Sequence, residues 1–312
     1  MKKKIFYVFM SFLVAFCTTI SPAFADDTPT SDRPSVWIQL SPVLKSFELS
    51  PGKDAEDTFT VQNIGSGTFS YKVYAAPYNI TSEQYDADFS TETAYTQISR
   101  WVTFKDADGN FSESATFTID PEEMQEITFR INTPEDLPAG SQHAIIFAES
   151  LKKSEVQGVS AVSRVGLNLR AVALGETNNS SEITEWNTPS YLPSGNITSS
   201  ILVKNTGNVD IAAGYDYTIE NISGKILYEK NNALDVLAAT NRRFDFEWEE
   251  TPLAGIFNVK LTIAAGNSTE TYSQIIVVLP PAIIVIAVLA TAFFIIMLIL
   301  FLRHRRSRNI VY

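Results

Sequence analysis

The feature that most constrains this chain is a two-residue alternation that recurs in short segments along its middle region. Phe244, Phe246 and Trp248 alternate with Asp245, Glu247 and Glu249. Phe69, Tyr71 and Val73 alternate with Ser70, Lys72 and Tyr74, and Ile127, Phe129 and Ile131 with Thr128, Arg130 and Asn132. Phe59 and Val61, then Val165, Leu167 and Leu169, then Tyr215, Tyr217 and Ile219 repeat the pattern. A period of two sets one group of side chains against a core and the other in water, as in a half-buried antiparallel strand. Between 34 and 274 no helical periodicity of comparable length interrupts these segments. Hydrophobic residues at 45 % and aromatics at 12 % supply the cores, so a disordered chain is excluded. The expected fold is an all-β ectodomain.

Punctuation within that region repeats. Val61-Gln62-Asn63-Ile64-Gly65 matches Val203-Lys204-Asn205-Thr206-Gly207, and a Pro-Gly or Pro-Ser-Gly turn precedes each at a similar distance. Further on, the strand-like 126–131 leads to Thr133-Pro134 and Leu137-Pro138-Ala139-Gly140, as 243–248 leads to Thr251-Pro252-Leu253-Ala254-Gly255. Two matches in the same order predict two tandem Ig-like antiparallel β-sandwiches, at 34–175 and 182–278, with the polar stretch 176–181 between them.

Both ends carry an address. Three lysines, an uncharged run and Ala23-Phe24-Ala25 form the pattern of a secretory signal peptide over 1–25, cleaved before Asp26. Residues 281–302 are uncharged, long enough as a helix to cross a hydrocarbon core of about 30 Å, and are followed by Arg303, Arg305, Arg306 and Arg308. The arginines place the tail 303–312 in the cytoplasm. The expected product is a single-span membrane protein with its bulk outside the cell. With leader and tail set aside, the ectodomain carries about −18, although the whole chain is −11, which excludes a nucleic-acid binder.

Catalytic chemistry has little to work with. Cys17, the one cysteine, lies in the leader, which rules out a disulfide or a cysteine zinc site in the mature protein. His143 stands in an apolar strand context and reads as structural rather than as a general base. The segment 105–110 partly resembles a calcium loop, but Phe111 takes the place of its glycine, and Asp108-Gly109 fits a hairpin turn better. No metal or cofactor is expected, and the protein is read as a non-enzyme. A carboxylate-dependent glycan hydrolase, which needs only two acids about 5–10 Å apart, is the competing reading.

The segment 75–99 is long for a connection inside a sandwich, and such connections often serve function. Tyr78, Tyr85, Phe89 and Tyr95 lie there beside Asp86 and Asp88. Aromatic faces stack on sugars or anchor protein contacts, and carboxylates accept hydrogen bonds. These six residues are the candidate binding set; a lid packed over the core is the alternative.

The whole layout resembles the WxL-interacting proteins of Gram-positive cell surfaces. The residues that carry the resemblance are Ile38-Gln39-Leu40-Ser41-Pro42, Phe47-Glu48-Leu49-Ser50-Pro51-Gly52, Val61-x-Asn63 and Ser99-Arg100-Trp101-Val102 in the first domain, while Asn205-Thr206-Gly207-Asn208-Val209 and 243–248 in the second resemble a tandem domain of related membrane-anchored surface proteins. Ser141-Gln142-His143 departs from it, standing where that family often has a glycine pair. The resemblance implies attachment to cell-wall glycan and binding of other surface proteins. It implies no particular binding residue.

Overall fold

Burial follows the alternation strand by strand. Phe244, Phe246 and Trp248 are buried while Asp245 and Glu247 face water, and Phe69, Tyr71 and Val73 do the same one domain earlier. A computed structural model describes residues 33–151, 154–156 and 159–308. The expected leader, with its cleavage site before Asp26, and the end of the tail at 309–312 lie outside the described residues.

The first group of strands is β1 (Ile38–Ser41), β2 (Leu44–Leu49), β3 (Ala55–Asn63), β4 (Phe69–Pro77), β5 (Asn79–Ile80), β6 (Ala87–Asp88), the short helix α1 (Ile98–Trp101), β7 (Val102–Lys105), β8 (Phe111–Ser112), β9 (Ser114–Ile119), β10 (Met124–Ile131), β11 (Gly140–Ser150), β12 (Ser154–Val156), β13 (Val159–Ala161) and β14 (Arg164–Ala173). The second is β15 (Ser181–Asn187), β16 (Tyr191–Leu192), β17 (Ile197–Asn205), β18 (Ile211–Asn221), β19 (Ile226–Val236), β20 (Asn241–Trp248), β21 (Gly255–Ala265) and β22 (Ser268–Val278), followed by α2 (Pro281–Arg308). Domain 1 stacks the sheet β1-β3-β10-β7-β8 on β2-β14-β11-β4-β9. Domain 2 stacks β15-β17-β20 on β16-β22-β21-β18-β19. These are two Ig-like sandwiches of one plan. In each, a short strand pairs in parallel with the last long one, β2 with β14 and β16 with β22, while the other principal ladders are antiparallel.

The sequence repeat has a physical basis. Asn63 is buried at the end of β3; its Nδ2 donates to Gly67 O (2.9 Å) and Ile119 O (3.4 Å), and its Oδ1 accepts the Gly65 N–H (2.9 Å). Asn205 at the end of β17 does the same with Val209 O (2.8 Å), Val236 O (2.9 Å) and the Gly207 N–H (2.9 Å). Each amide satisfies three backbone groups that a sandwich edge would otherwise bury unpaired. The glycines follow from crowding. A Cβ on Gly65 would lie 2.8 Å from Pro34 O, and one on Gly207 2.0 Å from Asn178 O.

Aromatic rings fill both cores. In domain 1 the Phe47 and Phe129 rings meet edge to face at 6.0 Å. In domain 2 Tyr217 lies parallel to Phe246 at 4.4 Å, and Trp248 meets Phe257 edge-on at 5.6 Å. The Tyr217 hydroxyl reaches Ser199 Oγ at 3.0 Å, and burial pushes its pKa up to about 12.

Domain 2 runs directly into α2. Leu279 N donates to Leu192 O (3.0 Å), Tyr191 Oη donates to Leu279 O (2.9 Å), and Ile283 N already bonds Pro280 O. Residues Pro281–Arg303 form a helix with mean hydropathy 3.3 and no buried residue, long and apolar enough to cross a membrane.

Candidate functional site

The segment between β4 and β9 contains the expected binding residues, and the structure separates them. Tyr78 and Phe89 meet at 5.9 Å, and Phe89 packs edge-on against Phe147 of β11 at 5.3 Å. Asp86 accepts from Ser82 Oγ (2.7 Å) in the turn between β5 and β6. Asp88 accepts from Ser90 and Thr91, and the Ser90 hydroxyl is the main reason its carboxyl titrates low, at about 2. Tyr95 lies half-buried on β11, where its carbonyl accepts the His143 N–H (2.8 Å). Tyr78, Phe89, Asp86 and Asp88 thus share one region of the segment.

Tyr85 leaves that region for the second domain. Its Oη accepts the Leu237 N–H (2.7 Å) and lies 3.1 Å from Thr240 Oγ1, while the Arg242 guanidinium sits 4.1 Å over its ring. Next to it, Arg243 N donates to Glu83 O (2.9 Å) and the Arg243 side chain bridges Glu83 and Glu185. Burial raises the Tyr85 pKa against the opposing effect of its hydrogen bonds.

The start of β11 completes this joint. Ser141 N donates to Asn208 O (2.8 Å), Asp210 N to Ser141 Oγ (2.9 Å), and His143 Nε2 to Asp210 Oδ1 (3.0 Å). Gln142 turns the other way and ties down the connection through Ala94 O (2.8 Å). Burial alone would raise the Asp210 pKa; the hydrogen bond and charge of His143, the Ala238 N–H and Arg170 outweigh it and hold the carboxyl low. Arg170 pairs with Asp235 at 2.6 Å. Gly140, at φ +119°, lies so close that a Cβ would stand 2.3 Å from Asn208 O. His143 is structural, as expected, but it serves the joint between domains. The polar run Ser141-Gln142-His143 inside an otherwise apolar strand is the sequence signal that marks this joint; in the sequence alone it stands only as a departure from the family pattern.

The loop at 105–110 is a hairpin turn. Asp106 Oδ1 accepts the N–H groups of Asp108 and Asn110, and β7 pairs with β8 across it. Among the described residues, no group of three or more His, Cys, Asp or Glu is arranged to hold a metal ion.

A second candidate region lies on domain 2. A recess of about 560 Å³ is lined by Asn187, Thr198, Ser200, Lys230, Asp245, Glu247 and Glu249 among others. It sits beside the edge of β20, which among the described residues pairs only with β17. The counterpart in domain 1, β10, is paired on both sides, by β3 and by β7. Composition alone did not single out this edge, because its exposed acids look like any solvated face.

No protein-family model and no curated protein matches the sequence. Among solved structures, the chain is similar to the class 5 fimbriae chaperone CfaA, with 14 % identity over 78 % of this chain and 99 % of that one, at a TM-score of 0.41. It is also similar to the CsuC–CsuE chaperone–tip adhesion subunit complex of Acinetobacter baumannii (12 %, 76 % and 98 %, 0.37) and to the Salmonella enterica SafA pilin–SafB chaperone complex (11 %, 78 % and 97 %, 0.35). These are likenesses of fold at low identity; the architecture of this chain stands on its own strand pairing.

Proposed function

We propose that the protein is a non-enzymatic, membrane-anchored cell-surface protein whose tandem sandwiches bind another surface protein or cell-wall polymer. In this reading the leader exports it, α2 spans the membrane, the tail stays inside and both domains stand outside. The observation that carries the binding role is the stretch of β20 edge beyond Arg243, which is itself bonded to Glu83 O, where Asp245 and Glu247 stand beside a polar recess. An open edge offers backbone donors and acceptors to an extended peptide, and flanking side chains then select it. Asp245, Glu247 and Glu249 favour a segment with basic residues. The polar joint supports the same role, because it carries one domain on the other at a set angle. Tyr78 and Phe89 beside Asp86 and Asp88 are proposed as a second contact, for wall glycan, in keeping with the resemblance to WxL-interacting proteins.

The test is photo-cross-linking in intact cells from position 245, with position 269 as control. A discrete adduct from 245 alone is the expected result. Equal yields at the two positions would defeat the edge-binding role. Cleavage of isolated wall material, lost in Glu247→Gln, would instead establish the hydrolase.

A further inference from the structure

The two ends of domain 2 differ in kind. The end facing domain 1 presents Asn178, Asn208, Asp210 and Thr240, all hydrogen-bonded across or beside the joint. The end facing α2 presents large apolar side chains to solvent: Ile222 at 84 % and Leu253 at 80 % exposure, with Ile226, Ile256 and Ile275 between 46 % and 60 %. Single exposed isoleucines need no explanation, but a group on one end of one domain does. Ile222, Ile256 and Ile275 also line a shallow recess of about 230 Å³ with Glu220 and Asn258.

The counterpart end of domain 1 is covered. There Leu137, which matches Leu253 in the repeat, packs against the core, and the β4–β9 connection spreads over that end of the sandwich. In domain 2 the corresponding β18–β19 connection is only the turn 222–225.

What lies below this end follows from the chain. Leu279 is pinned to Leu192, and the apolar helix begins at Pro281. Two residues span at most about 7 Å, whereas the headgroup layer on each side of a bilayer is roughly 5–7 Å thick. A body held on so short a tether cannot keep its loop tips clear of that layer. Tyr191, half-exposed with its hydroxyl on Leu279 O, is of the residue type that favours the membrane–water interface.

We infer that the turn 222–225, the loop 249–254 and the adjoining outer face of β21 and β22 rest in the headgroup layer of the bilayer. The inference depends on α2 spanning the membrane, as proposed above. Because Ile256 and Ile275 lie to one side of the end, the domain leans toward that face, and the two-domain body stands at a set tilt. Glu249 and Glu250 precede Leu253 and outweigh the one lysine of the turn, Lys225, so the surface suits zwitterionic lipid better than anionic lipid.

The experiment uses the full chain in phosphatidylcholine nanodiscs, with a Cys17→Ser background and an environment-sensitive fluorophore on one introduced cysteine. The cysteines are Ile222→Cys, Leu253→Cys, Thr269→Cys at the opposite end and Leu289→Cys in the helix. Lipids carrying a quencher near the headgroup should quench the labels at 222 and 253 several-fold more than the label at 269. If 289 is quenched by chain-quencher lipids while 222 and 253 behave like 269, the docking is wrong and the anchor stands. If 289 is not quenched, the anchor reading fails and the inference falls with it. Labels at 222 and 253 shielded without lipid quenching, with cross-links between copies, would assign the surface to a second copy and overturn the proposal.

Discussion

Domains 1 and 2 are the same sandwich put to different uses, and their connections carry the difference. Both have the buried asparagine corner, the same strand order and a short parallel strand leading the last long one. Between β4 and β9, domain 1 inserts a segment that adds β7 and β8 to one sheet, covers an end and reaches Tyr85 into the second domain. Domain 2 closes the same gap with a tight turn, which leaves the β20 edge beyond Arg243 and the end of the domain next to α2 open. A repeated core thus sets the scaffold, and the unequal loop decides which surfaces stay free.

Core substitutions should show the two sandwiches to be comparably built. Trp248→Ala removes a buried ring packed on Phe257 and Tyr228 and should cost about 3–5 kcal/mol. Phe129→Ala in domain 1 should cost about the same. Denaturant melts of both variants check this, and a cost under ~1 kcal/mol for either would break the equivalence.

The asparagine corners offer a sharper comparison. Asn63→Ala and Asn205→Ala each strand two carbonyls and one N–H, so each should lose about 2–4 kcal/mol. A neutral result at one site and a large loss at the other would show that the two corners do not do the same work.

The joint comes next. Asp210→Ala removes the partner of buried His143 and the acceptor of the Ala238 N–H, and should cost about 1–3 kcal/mol while widening the range of interdomain distances seen by fluorescence transfer. The pH dependence has a definite sign. The Asp210 carboxyl is held below its ordinary value in the folded protein, so its contribution is present above the unfolded carboxylate pKa of about 4 and is lost as pH falls through the depressed folded value. His143 and Arg170 face Asp210, and Arg170 also pairs with Asp235. Interdomain distances unchanged in Asp210→Ala would rule this contact out as the joint's anchor.

The smallest effect belongs to the surface. Glu56→Gln breaks the pair with Arg130 at 3.0 Å, Glu56 exposed and Arg130 half-buried, and should change stability by less than about 1 kcal/mol.

Strand positions, the doubled sandwich plan and the apolar helix were legible from residues alone, because each rests on local rules. Alternation reports burial on one face, an Asn-x-Gly marks a corner, and an uncharged run of this length marks a helix apolar enough to cross a membrane. Phe244, Phe246 and Trp248 needed no tertiary knowledge to be placed inside. The fate of 75–99 was different: Tyr78 and Tyr85 look alike in sequence, yet one pairs with Phe89 and the other bonds Leu237 in the next domain. His143 likewise finds Asp210 only because β11 ends at the joint. Those pairings, the free stretch of the β20 edge beyond Arg243 and the apolar end of domain 2 next to α2 depend on which surfaces come together after both sandwiches have formed. Contacts between residues so far apart in the chain leave no period in the sequence, so only the assembled structure decides them.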